Sequence, residues 1–327
     1  MAQYTGIQGQ NILIVSSDPA NPTEGQIWYN STTNLLKGYA VANVNAWASG
    51  GNLNLARGQF GATGTQSAAI AAGGETPTTP PSFQTNSTEL YNGTSWTTSP
   101  GTLPSAIDSN TLFGTQTAAI STGADTAPTA ITSSWNGSAW TATGSLNTGR
   151  FFMGSTGTQS AGLGFGGYTT AISNSTETFN GSTWTSVNNM NTSRLGLGRA
   201  GIQTAALGFG GGLSPGNSAA TESWNGTSWT SVNSLNTARA GIFGAGATQT
   251  SALAYGGFTT VNTGATESWN GTSWTTNPVS MSTARRFGAS AGTQSASLAI
   301  GGVTTTQVAN TEEWTGQAVQ VRTITTS

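Results

Sequence analysis

Residues 235–274 read LNTARAGIFGAGATQTSALAYGGFTTVNTGATESWNGTSW, and the same order of features returns along the chain. The closing Trp274 has counterparts at Trp229, Trp184, Trp140 and Trp96, at spacings of 45, 45, 44 and 44 residues. A sixth, worn copy begins at Met281 with MSTAR, keeps GTQSASLAIGG and TEEW, and ends in QAVQV around Val319. A fixed period of this length is the mark of a β-propeller blade. Each unit divides into four strands, because Asn-Gly between Thr-Glu-Ser-Trp and Thr-Ser-Trp-Thr is the strongest short hairpin signal. The spacing predicts type I′ turns at Asn225-Gly226 and Asn270-Gly271. The Asn-x-Ser/Thr sequons at these turns follow from hairpin geometry. The small apolar run Thr250 to Tyr255, closed by Gly256-Gly257, suits a strand near a crowded axis. Two rows of Trp then fill the wider gaps between blades.

The expectation is an all-β chain folded as a six-bladed β-propeller over residues 51–320, with 1–50 as a leader and β-hairpin and 321–327 as a tail. The alternative is seven blades, the N-terminal hairpin segment completing a partial one. In that leader, QIWYN and LLKGYA form the hairpin, turned by STTN, and Tyr39 and Trp47 fall where the third and fourth strands of a blade belong.

Composition removes several kinds of chemistry. The 327 residues hold only 9 Lys+Arg and 11 Asp+Glu, a net charge of −2, about a quarter of the charged fraction usual in soluble domains. Nucleic-acid binders concentrate basic residues on one face, so DNA and RNA are set aside. Neither Cys nor His occurs. The commonest general base, the commonest transition-metal ligand and all thiolate chemistry go with them, and no cofactor is expected. Met1 to Val15 has no basic segment followed by a long apolar one, so no secretory signal and no membrane insertion are expected.

The repeat resembles the kelch family, whose unit joins a Gly-Gly pair at a strand end to a Tyr or Trp and then a second Trp. The matching residues are Gly166-Gly167 with Phe179 and Trp184, Gly211-Gly212 with Trp224 and Trp229, Gly256-Gly257 with Trp269 and Trp274, and Gly73-Gly74 with Tyr91 and Trp96. Unit two departs, with Gly123-Ala124 for the pair. The resemblance implies a propeller over roughly residues 50 to 320 and says nothing about function, since propellers host enzymes and binding platforms alike. A galactose-oxidase-like activity fails, because that branch requires His ligands and a Cys-linked Tyr.

Arg57, Arg150, Arg194, Arg239 and Arg285 share one register of the repeat, and Glu89, Glu177, Glu222, Glu267 and Glu312 share another. They are either a ring of ligands or one ion pair per blade. Unit two decides between these, carrying Ile107 and Ser133 at the two positions. A charge left alone at a partly buried site is strongly destabilising, so joint loss is what a structural pair predicts.

The acids left over are Asp18, Glu24, Glu75, Asp108, Asp125 and Glu313, and the bases are Lys37, Arg199, Arg286 and Arg322. Glu75 and Asp125 follow the Gly strand end in adjacent units, at a separation of roughly 10 Å, near what an inverting glycosidase needs. They would equally suit Ca²⁺, or simply lie solvated in loops. The stretches after the Gly pair vary most in length and content, Glu75 to Ser87 being longest and Pro-rich. Constant scaffold with changing loops is how propellers present binding surfaces. The expected binding face therefore carries Glu75, Asp125, Tyr168 and Phe258, together with connections such as Thr230 to Asn236. It suits sugars or a protein partner.

Pro22 to Asn30 follows the pattern Pro-x-x-Gly-x-Ile-Trp-Tyr-Asn. This resembles the leader of bacteriophage virion proteins, in particular those of marine phages infecting cyanobacteria, where it precedes repeats of the Asn-Gly-Thr-Ser-Trp type. The resemblance implies a structural protein of the particle, made in the host cytoplasm. Residues 1–50 would dock to other virion proteins, and the propeller would face a host-surface glycan or protein.

Overall fold

The computed structural model describes residues 12–20, 25–42, 45–77, 83–125, 129–316 and 318–324. The chain divides into two compact units, one of Met1–Asn45 with Thr315–Ser327 and one of Ala46–Trp314. All regular structure among the described residues is β, in seven four-stranded sheets.

Six of the sheets make up the larger unit. Sheets one to five span residues 61–98, 111–142, 154–187, 198–232 and 243–277, and each is an antiparallel meander in chain order. Sheet four is representative, with strands Gly198–Ile202, Ala205–Phe209, Thr221–Trp224 and Trp229–Val232. The first strand of each sheet lies beside the first strand of the next. The small apolar run expected near the axis is the second strand, Ser251–Tyr255 in sheet five, and Phe243–Thr248 precedes it as the first.

Sheet six differs from the sequence expectation. Its first three strands are Ala289–Gly292, Ala296–Ile300 and Thr311–Thr315, but its fourth is Ala46–Ser49 rather than the segment around Val319. Ala318–Thr323 pairs instead with Leu35–Ala42 in the smaller unit. Trp47 is thus the sixth member of the outer Trp row, and the boundary expected at residue 50 falls at 45. The first strand of sheet six in turn lies beside that of sheet one.

Two side-chain ladders run around this set. The outer-strand indoles of Trp96, Trp140, Trp184, Trp229, Trp274 and Trp47 each donate Nε1–H to a Thr hydroxyl of the preceding sheet, at 3.0–3.1 Å. For Trp96 of sheet one that partner is Thr311 of sheet six. Gln116, Gln159, Gln203 and Gln294 reach back from the first hairpin of their sheets to two carbonyls of the preceding one. Gln66 of sheet one does the same to Ser297 and Trp314 of sheet six. The Gln ladder gives backbone carbonyls of the neighbouring sheet a donor, and the Trp ladder ties each buried indole N–H to a Thr hydroxyl.

The hairpins between third and fourth strands are not two-residue type I′ turns. Trp224 pairs directly with Trp229, leaving Asn225 to Ser228 as the connection. Asn225 Oδ1 accepts the amides of Thr227 and Ser228 at 2.9 Å, and Gly226 alone of the Asn-Gly pair has positive φ, +91°. Asn270 repeats this with Thr272 and Ser273. The Asn carboxamide, and not a left-handed Asn backbone, builds the turn.

In the smaller unit, Ile27–Asn30 and Leu35–Ala42 form the expected hairpin, and Leu13–Val15 adds a parallel edge strand. Asp18 accepts from Trp28 Nε1 at 3.0 Å and Asn30 Nδ2 at 2.8 Å, and pairs with Lys37 at 2.6 Å. Lys37 most of all, then Asn30 and Trp28, hold its carboxyl down to about 2. Two of the leftover charges of the sequence are accounted for by this clasp.

Candidate binding face

The repeat arginines start the construction, because they anchor the connections from which the face is built. Arg57, Arg150, Arg194, Arg239 and Arg285 meet Glu89, Glu177, Glu222, Glu267 and Glu312 within their own units. In sheet four the pair is 2.9 Å apart with both side chains fully buried. Arg194 Nη1 also donates to the carbonyls of Gly210 and Ala220, and the second carboxylate oxygen of Glu222 accepts the amide of Asn191 at 2.7 Å. Burial pulls each Arg below its ordinary pKa, Arg57 to about 10, against the opposing pull of its Glu. For Glu312 burial pushes up, but hydrogen bonds from Ser282 and Arg285 outweigh it and the carboxyl ends low. These are scaffold charges, each paired from inside the fold, while the buried Nε of Arg57, Arg150, Arg194 and Arg239 has no hydrogen-bond partner.

The chain leaves each arginine along one face. The next residue pairs with the one after the Gly pair, which in sheet four is Gly210-Gly211 rather than the expected Gly211-Gly212: Gly58 with Glu75, Phe151 with Tyr168, Leu195 with Gly212, Ala240 with Phe258 and Arg286 with Val303. In sheet two, Asp125 donates its amide to the carbonyl of Asp108. Glu75, Asp125, Tyr168 and Phe258 thus occupy one structural position on one rim. Connections between sheets share the face, as Leu235 and Arg239 donate to Ala219 and Ser218.

The second residue after each arginine position turns inward. Gln59, Ser109, Phe152, Gly196, Gly241 and Phe287 all have φ between +50° and +58°. Backbone bonds join them in order: Ser109 to Gln59, Phe152 to Ser109, Gly196 to Phe152, Phe287 to Gly241 and Gln59 to Phe287. Four of the six are not glycine, an uncommon concentration of left-handed backbone. The two glycines make room. A Cβ on Gly241 would sit 2.9 Å from the Phe287 ring and one on Gly196 at 3.2 Å.

The side chains of this garland divide the face. On one side Tyr168 lies against Phe151 at 5.2 Å, Phe151 against Phe152 at 5.3 Å, and Phe152 stacks on Phe287 at 5.0 Å across the axis. The Arg286 guanidinium lies 4.4 Å over Phe258, extending the belt to sheet five. On the other side, over sheets one and two, Gln59 Nε2 donates to Glu75, and Gln84 Nε2 to Asp108 Oδ2 at 3.3 Å. Asp108 is 8% exposed, with Oδ1 lacking a hydrogen-bond partner. Burial raises its pKa, opposed by Gln84 and Ser109, and the charges of Asp125 and Glu75 add to the rise. The three carboxylates therefore lie within each other's field. Among the described residues no group of three acids has metal-holding geometry.

Sequence reasoning reaches Glu75, Asp125, Tyr168 and Phe258 but passes over Phe151, Phe152 and Phe287. Their signal is present: the two residues after each repeat Arg differ from unit to unit, as Gly58-Gln59, Phe151-Phe152, Leu195-Gly196, Ala240-Gly241 and Arg286-Phe287. A scan against protein-family models matches none of them, and a search of curated proteins finds no relative of this chain.

Proposed function

We propose that the larger unit is a six-bladed, kelch-like β-propeller that acts by binding, as a displayed structural protein of a bacteriophage particle. The closed order of six sheets, with both ladders returning from sheet six to sheet one, supports the blade count. The aromatic belt beside an acidic patch carries the binding reading. Aromatic faces stack on the apolar side of sugar rings or take up a partner's side chains, while carboxylates and amides accept hydroxyls. Left-handed residues held by a run of backbone hydrogen bonds, completed by Ile242 N to the carbonyl of Gly196, preorganise this surface, which is where strained backbone gathers in binding proteins. The phage assignment rests on the Pro22 to Asn30 pattern. The edge strand Leu13–Val15 suits docking of the leader to other virion proteins, since Ile14 is 72% exposed there.

Electron-microscopic reconstruction of purified particles tests this reading. The expected result is the chain embedded through residues 1–50 with Tyr168 and Phe258 outward. Absence from particles sinks the phage assignment in favour of a surface or scaffold propeller.

Asp108 favours one second reading, a polysaccharide-degrading enzyme. A buried carboxyl with raised pKa beside the carboxyl groups of Glu75 and Asp125 is the arrangement of a general acid with its base. Turnover of host polysaccharide that disappears in Asp108→Asn establishes it. Glycan binding without turnover leaves the binding reading alone.

A further inference from the structure

Arg199 stands apart from the five repeat arginines. It occupies the first strand of sheet four, where the equivalent residues are Ala62, Leu112, Ser155, Gly244 and Ser290. Its side chain crosses the axis, and Nη2 alone donates to the carbonyls of Ala62 and Leu112, both at 3.1 Å. No acidic side chain among the described residues pairs with it. Burial lowers its pKa to about 10, which leaves it cationic at neutral pH.

The guanidinium divides the axial space. Toward the binding face lies a cavity of about 60 Å³ under Phe152 and Phe287. Toward the opposite face lies one of about 240 Å³, lined by hydroxyl residues such as Thr63, Ser155 and Thr293 and by glycines. Among the described residues, Arg199 is the only charged one lining either space. Arg199 is half-buried, a cation without a counter-ion is costly there, and its planar fork matches a carboxylate. The larger cavity is smaller than the ~300–1,000 Å³ of drug-sized sites, so its occupant is small.

We propose that Arg199 forms the floor of a carboxylate-binding site in the axial cavity that opens on the face opposite Tyr168 and Phe258. Its ligand is a small organic acid or the terminal acidic sugar of a glycan. The site is independent of the loop-face reading.

Calorimetric titration of the intact protein with glucuronate, its methyl ester and chloride tests it. Glucuronate binds, weakening as salt rises, while the neutral ester does not, and Arg199→Gln weakens the acid by roughly tenfold or more. Thr185→Ala, exposed on an outer strand, leaves that affinity unchanged. An oligouronate binding at least as well as the monomer identifies a glycan terminus, and exclusion of the oligomer identifies a free acid. The proposal is overturned if glucuronate gives no binding at millimolar concentration, if the ester binds equally, or if Arg199→Gln binds the acid as before. Should that variant fail to fold, the acid and ester contrast in the unaltered protein decides.

Discussion

Sheets two and four solve one problem in two ways. In sheet four the second strand stops at Phe209, and Arg194 takes up the carbonyls of Gly210 and Ala220 while Glu222 neutralises it. In sheet two the second and third strands run on, Ala119–Ala124 beside Thr129–Trp135, and Ala124 pairs with Thr129 where the other sheets bring in an arginine. Ile107 and Ser133 fill the vacated positions, both buried, and Thr122 and Thr132 bond to each other through their hydroxyls at 2.9 Å. A longer backbone ladder thus replaces a buried ion pair. The pair is an interchangeable structural module, and its loss in one unit leaves the ring intact.

The largest effect expected from breaking that module comes from removing half of it. Glu222→Gln leaves Arg194 charged and unpaired, and denaturant titration should show a loss of about 3–5 kcal/mol. Copying sheet two, as Arg194→Ile with Glu222→Ser, should cost only about 1–2 kcal/mol, for the carbonyls that Arg194 no longer meets. A double variant as unstable as the single one would show that sheet two is special rather than modular. Trp184→Phe removes the indole bond from sheet three to Thr132 of sheet two, and the same titration should lose about 0.5–1.5 kcal/mol.

The smallest effect separates sheet two from sheet six, which keeps the ion pair as sheet four does, by pH. Glu312 has a lowered pKa, so its stabilisation is present above the ordinary carboxylate value and is lost as pH falls through the folded value. Asp108 in sheet two has the opposite sign. Its raised pKa costs stability as pH climbs from the ordinary 3.8 through the folded value, and the cost is absent in acid. Asp108→Asn should therefore be more stable than the parent at pH 7 and equal to it below about pH 3.8, read from melting midpoints across pH.

Periodicity decides what is legible in the sequence. The Trp rows, the Gly pairs and the Arg and Glu registers recur, and their recurrence carries the four-strand unit and the ion pairs. Trp47 lacks the Asn-Gly turn and the Thr-Glu-Ser-Trp strand that mark its counterparts, because its sheet partner lies at the other end of the chain. The Gln ladder recurs openly, yet a Gln in a turn gives no local sign that it bonds the neighbouring sheet. On the face, Tyr168 and Phe258 stand out after the fixed glycines. The garland stays hidden, since left-handed Gln, Ser and Phe backbones have no compositional mark. Arg199 occurs once, and a single residue has no period to betray it.

The closure of the six sheets by the N-terminal strand is tested most directly by native-state hydrogen exchange. The amides of Gly50 and Leu53 donate to Thr311 and Ala309 at 2.9 Å, as Ser99 and Leu103 donate to Thr88 and Asn86 in sheet one. Protection of 46–53 matching that of 96–103 is the predicted result. Exchange of 46–53 at the rate of an unstructured peptide, with 96–103 still protected, would contradict it.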